Sequence, residues 1–461
     1  MTDIYAELIK ILDKDYVSNS AEERYLYGRD PGLMPPHEPD YVVMPSSTQE
    51  VQKIVKLANR EKVAIVPKGG GLSLTGLVIP QKGGILLDMK RMDKILEINE
   101  KGGYAVLEGG VNHGKLKSHL VKNYPNLRHS IPDSPPIATV VANAVIHGQG
   151  RLTQQRGFNS DMVCGLEVVL PTSEICKIGS CSVTDYWFSK GPPLPDLSSL
   201  FFGWFGTTGV ITKIAIKLYP AKKIRDVMLF LTDTAELVPE IMSKLGRTEM
   251  IEDLVVTAQP IPLRYRGNYY ILFYVTGDTE EEIEFKKKMA WNVLWPYFKS
   301  RDGGFVSLLP EMKAPMMYMP SKDTTRFADV SKGGGFEYSG PIAALEKYPI
   351  YVKKLAELAG KYDLFYSSAA RMIDGGHSMM FSFSYTFNRA EPETMKRAKR
   401  ALDEAAEFAL ENGGVMWKPN IDEQKMTMAR MDPNTLDLMM RIKKLLDPNG
   451  IMNPGNWEVT R

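Results

Sequence analysis

The chain has 461 residues, with 57 Lys+Arg against 55 Asp+Glu, a formal net charge of +2, 44% hydrophobic and 24% charged residues. That composition excludes a disordered or fibrous protein. The near-zero balance excludes a dedicated nucleic-acid binder, which needs a basic excess against phosphate. The length predicts about two or three domains. Cys164, Cys176 and Cys181 are too few for a disulfide framework and are expected as free thiols.

The opening MTDIYAELIKILDKDY is an acidic amphipathic helix pattern rather than a signal peptide. No apolar run approaches the roughly 18 residues that span a bilayer, so a cytoplasmic protein without a transmembrane segment is expected. Residues 48 to 60 place Val51, Ile54, Val55 and Leu57 on one helical stripe. The β-branched run Val63 to Val66 then leads into Pro67-Lys68-Gly69-Gly70-Gly71. Short strands are predicted at 85–89, 95–99, 104–111, 165–170, 175–179 and 210–220. From about Val227 the pattern becomes strand-helix-strand-helix, with long polar helices at 279–292 and 391–412. A helix over Thr435 to Leu446 and two Pro/Gly turns close the chain.

The loop Lys68-Gly69-Gly70-Gly71-Leu72-Ser73-Leu74-Thr75-Gly76 suits a diphosphate. Its glycines let successive backbone N–H groups converge on one anion, while Ser73, Thr75 and Lys68 add donors and charge. It is neither a P-loop nor the dinucleotide fingerprint, because neither the Gly-Lys-Ser/Thr nor the following long helix is there. Taken alone, it fits a plain tight turn equally well.

Downstream come Pro132-Asp133-Ser134, then ATVVANAVIHGQG (138–150), Arg156-Gly157-Phe158 running into GLEVVL, and FFGWFGTTGVIT (201–212). In that order these blocks resemble the vanillyl-alcohol-oxidase and p-cresol-methylhydroxylase family of FAD enzymes, which also includes FAD-dependent D-lactate and glycolate dehydrogenases. The tail LLDPNGIMNPG is similar to the family's closing motif, so the resemblance covers nearly the whole chain. It implies an α+β fold: an FAD-binding domain of two α+β subdomains over 1–220, an α+β substrate or cap domain over 221–425, and a segment 426–461 returning to the FAD domain. It also implies that Lys68, Gly69, Gly70, Gly71, Leu72, Ser73 and Gly76 hold the pyrophosphate. Pro132, Thr139, Asn143, His147, Gly148, Gly157, Gly209, Val210 and Ile211 would line the rest of the cofactor.

Departures from the family narrow the chemistry. Leu72 stands where some members carry an FAD-linking histidine, and Phe336 holds the place of a cap histidine; Tyr338 keeps a tyrosine link open, and non-covalent FAD is favoured. Phe158 stands where the phenol-oxidising members have a carboxylate, and Trp417-Lys418 replaces their Tyr-Arg pair. Asp374-Gly375-Gly376-His377 matches part of the hydroxy-acid dehydrogenases' metal motif, but Glu411-Asn412-Gly413-Gly414 lacks its second histidine, so no metal is expected.

Oxidising an alcohol releases a hydroxyl proton, which a base near neutral pKa can take. Of the six histidines, His377 is the leading candidate, since it follows two glycines and opens the strand-like SMMFSFSYTF. His147 is expected near the flavin or the cap interface, His113 and His119 solvated on a polar helix, and His37 and His129 without a special role. Arg371 and Arg326 are candidates for gripping a carboxylate, Lys418 for binding an anion, and Trp417 for packing on an apolar substrate. The Met316-Met317-Tyr318-Met319 run is expected to fill core space.

The resulting expectation is an FAD-dependent oxidoreductase taking a hydride from a hydroxyl-bearing carbon of a small anionic or aromatic substrate. A 4-alkylphenol hydroxylase or aromatic alcohol oxidase with a rebuilt pocket, and a flavin electron-transfer subunit, stand as alternatives. The acceptor is left open among oxygen, a cytochrome, an electron-transfer flavoprotein and an iron-sulfur subunit. Homodimerisation, common in the family, is not decided by any surface pattern.

Overall fold

The computed structural model describes residues 3–258, 268–317 and 334–458. Near the N-terminus, a four-stranded sheet runs in the order Val17–Ser18, Tyr41–Val43, Ile85–Asp88, Ile65–Lys68, with the last three parallel. The helix Thr48–Glu61 covers it with the predicted stripe, Val51, Ile54, Val55 and Leu57, buried. Ser47 caps its start by accepting from the Glu50 N–H, and Lys62 ends it in a left-handed conformation.

A second, antiparallel sheet follows in the order Ile95–Asn99, Tyr104–Glu108, Val210–Lys217, Val163–Val169, Ile175–Gly179. Its inner face packs Leu107, Leu166, Val168 and Ile214 against Leu116 and Leu120 of the helix His113–Asn123. The C-terminal segment returns to the first sheet: the Ile65 N–H donates to the Ile451 carbonyl, and Asn453 Nδ2 donates to the carbonyls of Leu77 and Phe205.

The third sheet is antiparallel and larger. Its order is Gly303–Val306, Ile224–Thr232, Tyr269–Gly277, Asp253–Ala258, Phe365–Ile373, Ser378–Phe381, Pro341–Ala343, Val415–Met416. The antiparallel pair Gly334–Ser339 and Phe383–Asn388 joins it through pairing of Phe383–Asn388 with Phe365–Ile373. The helices Leu237–Gly246, Glu280–Lys299, Tyr348–Tyr362 and Pro392–Glu411 cover one face, where the largest apolar core forms around Phe273, Tyr351, Phe381, Phe383 and Leu355. Helices grouped on one side of an antiparallel sheet define the α+β class. The other face of this sheet is left for the site.

Two histidine expectations change here. His113 is buried rather than solvated, and it stacks on an equally buried His129, Nδ1 to Nε2 3.2 Å apart. Burial pushes both imidazoles down, His129 to about 3, so the pair is neutral at physiological pH.

Candidate active site

A cavity of about 360 Å³ lies between the glycine loop and the large sheet. One wall is the glycine loop with the segments 132–134, 138–149 and 205–211; the other is the open face of the large sheet. The sequence-predicted residues Lys68, Gly69, Gly70, Gly71, Leu72, Ser73, Pro132, Thr139, Asn143, Gly209, Val210 and Ile211 all line it, and so do Arg371, Trp417 and Lys418.

The loop's shape depends on its glycines. Gly71 has φ of +65°, and a Cβ on Gly70 would lie 2.8 Å from the Ile137 carbonyl oxygen. Behind the loop a half-buried carboxylate fixes its far end: Asp30 accepts from the Gly76 N–H at 2.7 Å, the Gly32 N–H at 2.8 Å and Ser73 Oγ at 3.3 Å. Burial raises the Asp30 pKa against these hydrogen bonds, and burial lowers that of Lys68.

Gly76 therefore serves the anchor and is not on the cavity wall. Gly148, Gly157 and His147 are also off it. His147 lies behind the wall, its Nδ1 2.8 Å from Ser160 Oγ and its ring edge-on to Phe158 and Phe202, and burial lowers its pKa.

His377 is not brought to the site. It sits on an exposed turn after Asp374–Gly376, beyond the end of the strand that carries Arg371, and none of the six histidines lines the cavity. Arg326, Tyr318 and Met319 lie outside the described residues.

Lys418 adopts φ of +45° and is buried; its Nζ donates to the Ser73 carbonyl at 2.5 Å and lies 4.5 Å from the Tyr338 ring centroid. Trp417 is pinned by its indole N–H to the carbonyls of Ile146 and His147, at 2.8 and 2.9 Å. Arg371 is held by Asp253, Nε to Oδ1 3.1 Å and Nη2 to Oδ2 3.2 Å, and by Asp133, Nη2 to Oδ2 2.6 Å. Burial opposes the guanidinium charge, but the two carboxylates outweigh it and raise the Arg371 pKa.

Sequence reasoning missed the hydroxyl wall. Thr257, Ser367, Ser368, Ser382 and Ser384 line the cavity on the sheet side. The signal was present in Phe381-Ser382-Phe383-Ser384-Tyr385, where period-two alternation sends the aromatic rings into the core and the serines into the cavity.

The residues fit FAD. Among the described residues, buried side-chain atoms of Thr75, Ser134, Gln149, Thr207 and Thr208 lack hydrogen-bond partners, and Ser134 and Gln149 lie on the cavity wall. Buried polar atoms left unpaired are costly, and such a cluster beside a glycine loop matches a polar ligand. No three His, Cys, Asp or Glu side chains among the described residues group to hold a metal. No described helix is long and apolar enough to cross a membrane.

Comparison with known proteins agrees. Residues 39–179 match the FAD binding domain family, and residues 336–457 match the C-terminal domain of FAD linked oxidases. The chain is 26% identical to the glycolate oxidase subunit GlcD of Bacillus subtilis, covering 98% of this chain and 96% of that one. It is 27% identical to the mitochondrial D-lactate dehydrogenase (cytochrome) of Arabidopsis thaliana, covering 97% of this chain and 78% of that one. Its fold is similar to 4-ethylphenol oxidase from Gulosibacter chungangensis, with a TM-score of 0.86, 20% identity, and 99% and 97% of the two chains covered.

Proposed function

The chain belongs to the vanillyl-alcohol-oxidase and p-cresol-methylhydroxylase family of FAD-linked oxidoreductases, and from that premise we propose that it removes a hydride from the hydroxyl-bearing carbon of a small 2-hydroxy acid. The observation that carries this reading is the convergence of Arg371, Lys418 and a row of serine hydroxyls on the cavity whose other wall is the glycine loop. A guanidinium offers a carboxylate paired, planar donors. Ser367, Ser382 and Ser384 can hydrogen-bond a substrate hydroxyl.

FAD, held without a covalent link by the loop 68–73 and the segments around Thr139, Asn143 and Gly209 to Ile211, supplies the hydride acceptor. The protein's part is positioning, charge and proton handling. Lys418 keeps a cation at the end of the loop, fixed by Ser73 and the Tyr338 ring. Trp417 closes the wall between the cavity and the 146–147 backbone and so keeps water out. No histidine lines the wall. The aromatic faces of Tyr338 and Trp417 favour one second reading, an aromatic alcohol as substrate.

Anaerobic stopped-flow mixing tests both. Bleaching of the flavin bands by D-lactate or glycolate is the expected result. Bleaching by vanillyl alcohol alone would transfer the function to aromatic alcohols, and bleaching by none of them would overturn the reading. Oxygen uptake during turnover separates an oxidase from a dehydrogenase that needs a redox partner. Release of the yellow colour on denaturation checks the non-covalent link.

A further inference from the structure

The two carboxylates on Arg371 hold it in unlike ways. Asp253 is wholly buried on the central strand Asp253–Ala258, engages both Nε and Nη2, and also accepts from Arg151 Nη1 at 3.3 Å. It cannot withdraw without leaving a charge buried and unpaired. Asp133 comes from the other wall, 238 residues away in sequence, and its side chain is 38% exposed where Asp253 is 0% exposed. It reaches Nη2 from a loop that itself lines the cavity.

Together Arg371, Arg151, Asp253 and Asp133 are electrically balanced, and Asp133 also favours the charged form of Arg151. An anion entering the cavity therefore meets an arginine whose charge is already matched. Both carboxylates bind through Nε and Nη2, and Nη1 has no hydrogen-bond partner among the described residues. A paired grip on a substrate carboxylate through Nη1 and Nη2 therefore needs the place that Asp133 holds on Nη2, and of the two carboxylates Asp133 is the one with exposed surface.

We propose that Asp133 is an exchangeable counter-ion: the carboxylate of an anionic substrate displaces it from Arg371, and its charge sets how strongly the site prefers anions over neutral alcohols. The proposal rests on the hydroxy-acid reading for the identity of that substrate. Asp133 is then a specificity-determining residue rather than part of the cofactor wall alone.

The test is titration of the FAD-loaded protein with oxalate, a non-reducing dianion, followed by perturbation of the flavin spectrum, with benzyl alcohol as the neutral probe. Asp133→Asn keeps the shape and removes the charge, so oxalate is expected to bind about ten-fold tighter or better. Benzyl alcohol affinity should change less than about two-fold, and Asp133→Glu should bring oxalate binding back toward that of the unaltered protein. Asp133→Ser provides the same comparison should the asparagine variant not fold. Equal oxalate affinity with and without the charge, no oxalate binding to either protein, or equal tightening of both probes would overturn the proposal. Flavin reduction by D-lactate with unchanged oxalate binding in Asp133→Asn would sink this inference and leave the hydroxy-acid reading standing. Tighter oxalate binding in a protein that no alcohol or hydroxy acid reduces would do the reverse.

Discussion

Replacing Arg371 by glutamine probes the charge network under the site, and its cost can be worked from the contacts. The substitution removes three N–H···O contacts of 2.6 to 3.2 Å and leaves Asp253, fully buried, with Arg151 Nη1 at 3.3 Å. Breaking a buried ion pair by deleting one partner costs about 3–5 kcal/mol, and the retained Arg151 contact brings the expectation to about 2–4 kcal/mol. Asp253→Asn alone should cost less, about 1–3 kcal/mol, because Arg371 keeps Asp133. In the double variant Arg371→Gln/Asp253→Asn the stranded charge is gone. It should therefore be at least about 1–2 kcal/mol more stable than the sum of the single losses predicts. Urea unfolding of the cofactor-loaded proteins, followed by circular dichroism and by tryptophan fluorescence, measures the cycle. Losses that add to within about 0.5 kcal/mol would refute the reasoning, since Arg371 would then be held by packing and not by Asp253.

Three further outcomes are expected. His377→Ala should leave the rate of flavin reduction within about two-fold in stopped flow, because the imidazole lies on an exposed turn; a loss of a hundred-fold or more, the scale of a general base, would restore it to the mechanism. Gly71→Ala forces a side chain onto a backbone with φ of +65° and should weaken FAD binding, measured by fluorescence quenching, by at least about ten-fold, while Gly360→Ala, where an added Cβ meets nothing within 4 Å, leaves it near the native value. Glu423 is buried, and burial lifts its pKa to about 7 from an ordinary 4.5, so between those values the folded chain holds a proton that the unfolded chain has released. Stability from this group is therefore greatest below about pH 4.5, falls by about 3 kcal/mol as pH rises to 7, and is level above. Glu423→Gln keeps an acceptor for the Asn420 N–H and should raise the melting temperature at pH 8 and flatten that part of the profile; a lower melting temperature at pH 8 would count against it.

Local pattern carried a large part of this molecule. The stripe over 48–60 is the covering helix, and the glycine loop and the blocks around Thr139 and Gly209 converge on one cavity because each is a backbone feature written in its own few residues. The burial of His113 was also legible, since it shares a face with Leu116 and Leu120 at i, i+3 and i+7, a spacing that outweighs the polar residues between them. His377 misled for a different reason. Its flanking glycines mark a turn correctly, with φ of +65° at Gly375 and +98° at Gly376. They do not say which end of the two strands they join meets the cofactor. Pairing of Met372 with Met379 and Arg371 with Met380 puts the turn beyond the cavity, and the lining residues lie from Arg371 back to Ser367 and from Met380 on to Ser384. Asp133 and Asp253 were invisible for the same reason, because their partner is 238 and 118 residues away. A guanidinium's role is fixed by which carboxylates the fold brings to it, so the anion site could be read from Arg371 only once the loop and the strand that balance its charge were placed beside it.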